Sequence, residues 1–168
     1  MSHPVVLALF DDSAAAAEAA RSLRELGVPR ERVSIVARSH DEEGAVARAG
    51  GASPGSEIED SAAASRLGEL SAHLIAAIAI VMPGIGPIVA DGPLAAGMGE
   101  AAGHLAGGVS RTLDQAGLRH AVAEEWSSRI HAGAFLVGAH VPREQVEAAR
   151  GAFQAAGAAA IDVGTWSD

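Results

Sequence analysis

The alternation of apolar and polar positions near the start of the chain predicts a strand, a helix and a second strand. Residues 4–10 form a short apolar run that ends at two aspartates and a serine, a cluster typical of a helix N-terminus. Residues 13–26 then carry apolar side chains at helical spacing up to Gly27, and residues 32–37 alternate and are rich in valine and isoleucine. The pattern therefore predicts a β-α-β unit.

The end of the chain repeats this organisation. It predicts a helix, a strand, a second helix and a second strand at residues 119–132, 134–141, 142–156 and 159–166. The first and last thirds share the tetrapeptide Glu-Ala-Ala-Arg, at 18–21 and 147–150, inside the same strand-turn-helix pattern. Two such halves predict an α+β, ferredoxin-like sandwich with a four-stranded antiparallel sheet. The long middle of the chain is then inserted between the second and third strands, which are neighbours in such a sheet.

The middle of the chain contains an apolar segment that is broken by prolines and glycines at residues 83–87. Leucines and isoleucines before the break recur at steps of three and four, which predicts a helix. As a helix, the run from Leu70 to Met82 would be about 20 Å long, against about 30 Å of hydrocarbon in a bilayer. It is too short to span, so we predict a helical hairpin with its tip at residues 83–93 and a return arm that ends near Gly117.

Small residues recur every four positions along the return arm. Positions four apart share a helix face, so this stripe predicts a groove that another backbone can approach closely, as in a glycine zipper. The alternatives are a loosely packed arm and a helix broken at Gly107-Gly108. The predicted oligomer interface comprises Leu74, Ile78, Val81, Ala95, Gly99, Gly103 and Gly107.

These patterns divide the chain into four predicted parts. They are a first β-α-β half at 1–38, an acidic Gly-rich linker at 39–60, an inserted apolar helical hairpin at 61–118, and a helix with the second half at 119–168.

Composition and charge remove several classes of function. The net charge is −9 and every basic residue is arginine, so we expect no nucleic-acid partner. The absence of cysteine and lysine removes disulfides, thiolate catalysis and Schiff-base chemistry. Two pairs at helical i,i+4 spacing, Glu100 with His104 and His120 with Glu124, are weak candidates for metal ligands. Neither pair has an evident third ligand, so ion pairs are favoured, and we expect no cofactor and no enzymatic activity.

Four stretches of the chain resemble a bacterial family. They read VVLALF, GVPRERVSIVAR, PGIGPIVADGPLAAGMG and GAFLVGAHVPREQVEAARGAFQAAGAAAIDV. Together they look like the bacterial general-stress, heat-induced YflT-like proteins and related domains of unknown function. The resemblance covers nearly the whole chain. It implies a stress-associated protein, cytoplasmic or membrane-peripheral, with no established catalytic residues to carry over.

The function that we expect is therefore structural. The protein is predicted to be a non-enzymatic, stress-associated protein whose partner is itself, assembling as a homo-oligomer through the hairpin. A peripheral membrane protein that inserts the hairpin into one leaflet is one alternative, which the acidic charge disfavours. A sensor that binds a small ligand or a metal is the other. The N-terminus has no basic region before its apolar run, so a cytoplasmic location is expected.

Overall fold

Six strands and four α-helices make up the part of the chain that the computed structural model describes, residues 2–38, 78–82, 86–94 and 108–167. The strands are β1 Ser2–Phe10, β2 Val33–Arg38, β3 Ile78–Met82, β4 Gly86–Asp91, β5 Phe135–His140 and β6 Ala160–Ser167. The helices are α1 Ser13–Glu25, α2 Gly108–Gln115, α3 His120–His131 and α4 Val146–Ala155, with short 3-10 turns at Arg30–Arg32 and Arg143–Gln145. The predicted α+β class is confirmed.

Helix α1 shows why the ends of the chain fold as their sequence predicts. The Asp12 side chain accepts a hydrogen bond of 2.8 Å from the Ala15 backbone N–H, which satisfies one of the free donors of the first turn. The helix ends before Gly27, whose φ of +80° is a conformation that glycine adopts without strain. Local capping therefore sets the ends of this helix, and its apolar stripe sets the face that it packs on the sheet.

The strands form one antiparallel sheet in the order β3-β4-β2-β5-β1-β6. Strands β2 and β5 are neighbours, with Ser34 opposite Gly138. The two ends of the long intervening segment therefore leave and rejoin the sheet close together. Strand β4 pairs with the other side of β2, so part of this segment extends the sheet beyond β2.

Helices of the chain cover both faces of the sheet. Helices α1 and α4 pack on one face, where the rings of Phe10 and Phe153 meet edge to face at a centroid distance of 5.9 Å. Helices α2 and α3 pack on the opposite face, where Leu113 and Trp126 belong to one buried apolar cluster with Leu7. The chain thus builds two apolar cores, one on each side of the sheet.

The predicted helical hairpin at 61–118 is wrong over part of its length. Ile78–Met82, predicted to be the end of a helix, is strand β3, and the predicted tip contains strand β4. The run is rich in isoleucine and valine, which favour strands. Strand β3 pairs with β4, and β4 pairs in turn with β2, so these ladders satisfy backbone groups that a helix would have satisfied internally. Pro87 lies opposite Val81, beyond the last β2 pairing at Arg38 and Ile88, so its missing N–H costs no bond to β2.

Candidate functional site

The residues predicted to form an oligomer interface are only partly placed. Ile78 and Val81 belong to strand β3, at one edge of the sheet. The other five, Leu74, Ala95, Gly99, Gly103 and Gly107, lie outside the described residues, as does the linker at 39–60. The glycine zipper therefore stays a prediction, and so does the sequence alternative of a helix broken at Gly107-Gly108.

The end of the return arm packs inside its own subunit. Helix α2 falls within the predicted arm, and Val109, Leu113 and Ala116 are buried against the sheet. The chain turns at Gly117, whose φ of +90° matches the predicted helix end. The apolar side of this stretch is therefore buried in the core of its own subunit.

Strand β6 forms one edge of the sheet, and the chain closes it locally. The Val163 backbone N–H donates to the side-chain Oδ1 of Asp162 at 2.8 Å, and the Thr165 N–H donates to the Ala116 carbonyl at 2.8 Å. A Cβ on Gly164 would overlap that carbonyl oxygen, so the close approach of the α2 end requires glycine there. Occupied N–H groups give an incoming strand fewer partners.

Strand β3 forms the other edge. Within the described residues its strand neighbour is β4, in antiparallel register from Ile78 opposite Ala90 to Met82 opposite Gly86. Its sequence, Ile-Ala-Ile-Val-Met, contains no charge and no proline. Natural edge strands are usually protected by charged residues, prolines or bulges. The two edges of this sheet therefore differ in the protection that their sequences provide.

A buried polar cluster lies on the sheet face that α2 and α3 cover. The side chain of Ser34 on β2 is 3.1 Å from Nε2 of His140 on β5, and His140 Nδ1 is 3.1 Å from Nε2 of His3 on β1. The Leu94 backbone N–H donates to Ser34 Oγ at 3.1 Å. The ring of Trp166 meets His140 edge to face at 5.6 Å. Three strands and the residues after β4 are thus joined by one hydrogen-bonded chain.

Two glycines make room for this cluster. Gly92 has a φ of +81°, and a Cβ there would overlap the backbone carbonyl of Val33 beside Ser34. A Cβ on Gly138 would lie 3.0 Å from Leu7 Cδ2 and 3.3 Å from Leu94 Cδ1. Both positions allow the residues after β4 to lie directly on the sheet, which brings the Leu94 N–H to the serine.

The chemistry of the cluster follows from its burial. One assignment of protons satisfies all three contacts: Leu94 N–H donates to Ser34 Oγ, Ser34 O–H donates to His140 Nε2, and His140 Nδ1–H donates to His3 Nε2. A serine and a histidine at this distance are also the parts of an activated nucleophile. However, Ser34 is 0% and His140 is 1% exposed, so no substrate reaches the hydroxyl in this conformation. The arrangement acts as an anchor between β2 and the residues that follow β4.

Sequence reasoning missed this cluster. Its members are separated by 106 and 137 residues, so spacing along the chain carries no information about their proximity. One signal was available in the sequence, because His140 follows the apolar run at 135–139, and a histidine in a buried strand needs a hydrogen-bond partner. Trp166 lies opposite His3 in the pairing of β1 with β6. The predicted strands did not specify this register.

The two candidate metal pairs are not brought together into a metal site within the described residues. Glu100 and His104 lie outside them. His120, at the start of α3, instead bonds Asp114 through Nδ1 at 2.9 Å. This hydrogen bond, together with the charge of Asp114 and a smaller effect of Glu124, raises the pKa of His120 above its usual 6.5. No cluster of three or more potential ligands occurs in the part of the chain that the structure describes.

Comparisons with known proteins add no relative. The chain matches no family model, and neither the curated proteins nor the solved structures include one that is significantly similar to it. Among the helices of the described ranges, none has both the length and the apolar character that crossing a bilayer requires.

Proposed function

We propose that this chain is a non-enzymatic, stress-associated protein that assembles with copies of itself through its central apolar segment, residues 61–118. The stress association follows the resemblance of its sequence to the YflT-like proteins. The body that carries the segment is, in this proposal, ferredoxin-like. The order β6-β1-β5-β2 supports that assignment, as does the packing of α1 and α4 together on one sheet face.

The observation that carries the proposal is that the described body covers the faces of its sheet with its own helices. Both faces of the sheet are covered by helices of the same chain, and two N–H groups of the β6 edge have partners within it. Exposed large apolar side chains in the described body are scattered singly, at Leu26 and Val163, and such residues are normal on a monomer. A partner surface is therefore best sought in the central segment, where β3 leaves an uncharged edge.

The Ser34–His140 pair favours a structural role over catalysis. The hydroxyl is enclosed, and its oxygen already accepts the Leu94 N–H. A nucleophile must reach a substrate carbonyl or phosphoryl group, and here that approach would require the residues after β4 to leave the sheet.

Size-exclusion chromatography with light scattering tests the proposal. The purified protein at micromolar concentration is expected to run as an assembly larger than one 16.8 kDa chain. Gly103→Leu is expected to shrink that assembly, because a bulky side chain blocks close backbone approach. Gly151→Leu is the matched control, since Gly151 lies on the exposed side of α4 with no atom within 4 Å of an added Cβ.

Each result separates the alternatives. A monodisperse monomer would overturn self-assembly. If the Gly103→Leu variant forms an assembly of unchanged mass, the interface lies outside the glycine stripe. Flotation with neutral and anionic liposomes tests the membrane alternative, and we expect the protein to stay at the bottom of the gradient in both cases.

A further inference from the structure

We infer that the His3–His140 pair makes the anchor between β2 and the residues after β4 sensitive to acid. Two fully protonated rings cannot keep their contact, so at low pH residues 92–94 leave the sheet. The inference goes beyond the proposed self-assembly and does not depend on it, since it concerns contacts inside one subunit.

The first step is a count of the protons that the two rings can hold. Nδ1 of His140 and Nε2 of His3 are 3.1 Å apart, so one hydrogen lies between them and one nitrogen accepts it. A neutral imidazole has one donor and one acceptor, whereas an imidazolium has two donors. The contact therefore tolerates one added proton and excludes a second, because two N–H groups would then face each other.

The second step links the rings to Leu94. Wherever the first added proton resides on the pair, Nε2 of His140 becomes a donor to Ser34 Oγ, which is 3.1 Å away. That oxygen also accepts the Leu94 N–H, so the Ser34 hydroxyl hydrogen loses the acceptor that it has at neutral pH. Ser34 is 0% exposed, and a buried hydroxyl that loses its acceptor costs free energy. Movement of residues 92–94 off the sheet admits water to the hydroxyl and to both rings.

The third step is the burial of the charge. His140 is 1% exposed, and a buried positive charge is unfavourable unless an opposite charge offsets it. Within the described residues, the side-chain contacts of its ring reach His3, Ser34 and Trp166, none of which is acidic. The closed arrangement therefore favours the neutral ring.

Charged residues of the neighbouring strands occupy other positions of the sheet. Asp91 of β4 is paired with Ile35, which belongs to the core on the other sheet face. Arg38 ends β2, four residues after Ser34, and Asp162 of β6 accepts the N–H of the next residue. Charged residues just outside the strands are exposed, and they are Glu31, Arg32, Arg143 and Glu144.

The helices on this face carry their titratable groups elsewhere. His131 precedes the start of β5, whereas His140 ends that strand. The other charged or titratable side chains of α2 and α3 are exposed or in ion pairs, and they are Arg111, Asp114, His120, Glu124, Glu125 and Arg129. Within the described part of the chain, His3 is thus the titratable residue that contacts His140.

Proton linkage gives the direction and size of the effect. In the open form water surrounds the pair, and a hydrated imidazole protonates near pH 6.5. The closed form excludes at least one proton that the open form accepts, and the form that binds more protons gains as the pH falls. The equilibrium constant for opening should therefore rise at least about tenfold between about pH 7.5 and about pH 5.5.

Amide hydrogen exchange of Leu94, followed by NMR, tests the release, because its N–H donates to Ser34 Oγ. Rates are expressed as protection factors, which removes the intrinsic pH dependence of exchange. We expect the Leu94 protection factor to fall at least about tenfold from about pH 7.5 to about pH 5.5. The Val28 N–H donates to the Leu23 carbonyl at 3.0 Å, and this control amide should change less than about threefold.

Two glutamine variants separate His3 from histidines in general. His3→Gln keeps an oxygen that can accept the His140 Nδ1–H and removes one titrating ring, so the pair excludes one proton fewer. His120→Gln is the matched control, since that side chain is exposed and bonds Asp114. The pH response of Leu94 should be at least about threefold smaller in His3→Gln and unchanged in His120→Gln.

The natural protein alone can overturn the inference. A Leu94 protection factor that changes less than about threefold between the two pH values contradicts the release. An equal fall at Leu94 and Val28 also contradicts it, because the whole fold would then be opening. A full response in His3→Gln would remove the role of the pair. If that variant does not fold, the ring 15N shifts of the natural protein replace it: His3 and His140 both doubly protonated at about pH 5.5, with Leu94 still protected, would refute the inference.

Discussion

Replacing Gly164 by alanine should open the contact that closes the β6 edge. This glycine faces the end of α2, and an added Cβ would overlap the Ala116 carbonyl oxygen and lie 2.9 Å from its carbon. The obstructing atoms are backbone, so they cannot turn aside as a flexible side chain would. Relief requires the corner between α2 and α3 to move away from the strand, which breaks the 2.8 Å hydrogen bond from Thr165 N–H to Ala116.

The expected cost combines two effects. Overpacking of a closely fitted contact costs about 1–3 kcal/mol, and a lost intramolecular hydrogen bond costs about 0.5–1.5 kcal/mol. We therefore expect Gly164→Ala to lower the free energy of unfolding by about 2–4 kcal/mol. For a chain of this size, each kcal/mol shifts Tm by about 2–4 °C, so Tm should fall by roughly 5–15 °C.

Urea unfolding followed by circular dichroism measures the change, and Gly151→Ala is the control. Gly151 lies in the exposed part of α4 with no neighbour within 4 Å of an added Cβ, so alanine should stabilise the helix by about 0.5–1 kcal/mol. Replacing glycine by alanine should thus lower the free energy of unfolding at position 164 and raise it at position 151. Amide hydrogen exchange at Thr165 should also accelerate in Gly164→Ala. Stability within 0.5 kcal/mol of the natural protein, with unchanged exchange at Thr165, would refute the close contact.

Two further substitutions test the polar contacts. Ser34→Ala removes a hydrogen-bond partner of the buried Leu94 N–H and of His140 Nε2. The free energy of unfolding, measured in urea, should therefore fall by about 1–3 kcal/mol. A fall of less than about 0.5 kcal/mol would contradict the role of Ser34 as an anchor. Asp114→Asn should return the pKa of His120 toward 6.5 in an NMR titration, because the hydrogen bond and the charge that raise it are weakened. Because the pKa of His120 is higher in the folded than in the unfolded state, its protonated ring stabilises the fold fully at pH values below the unfolded pKa. This stabilisation is lost as the pH rises through the folded pKa. The variant should therefore lose more stability at about pH 5.5 than at about pH 9, and a loss independent of pH would argue against the ion pair.

The ends of the chain were predictable because local signals determine them. The helix predicted at 13–26 is Ser13–Glu25, and the strand predicted at 134–141 is Phe135–His140. The helix has apolar side chains at helical spacing after an Asp-Asp-Ser cluster, and the strand is a short apolar run between Gly133 and Pro142. These signals act within a few residues, so they can be recognised without knowledge of the tertiary structure.

The central segment was mispredicted because its local signal is ambiguous. Around Ile78–Met82 nearly every side chain is apolar, so there is no polar face from which to tell a period of 3.6 from a period of 2. The outcome depends on pairing over long range, such as Val36 with Ala90, which satisfies backbone groups that a helix would have satisfied internally. The Ser34–His140 contact was hidden for the same reason, since it arises from strand order and not from spacing.

The segment inserted between β2 and β5 contributes both to the cover of one sheet face and to the edge at β3. A four-stranded sheet in the order β6-β1-β5-β2 would end at β2, but β4 pairs with β2 and moves that edge outward to β3. The same insertion supplies α2, which helps cover the second sheet face and whose end occupies a β6 N–H group. Within the described residues, one segment therefore helps to cover a face of its own sheet, occupies an N–H group at the β6 edge, and moves the opposite edge outward to a strand without charged residues.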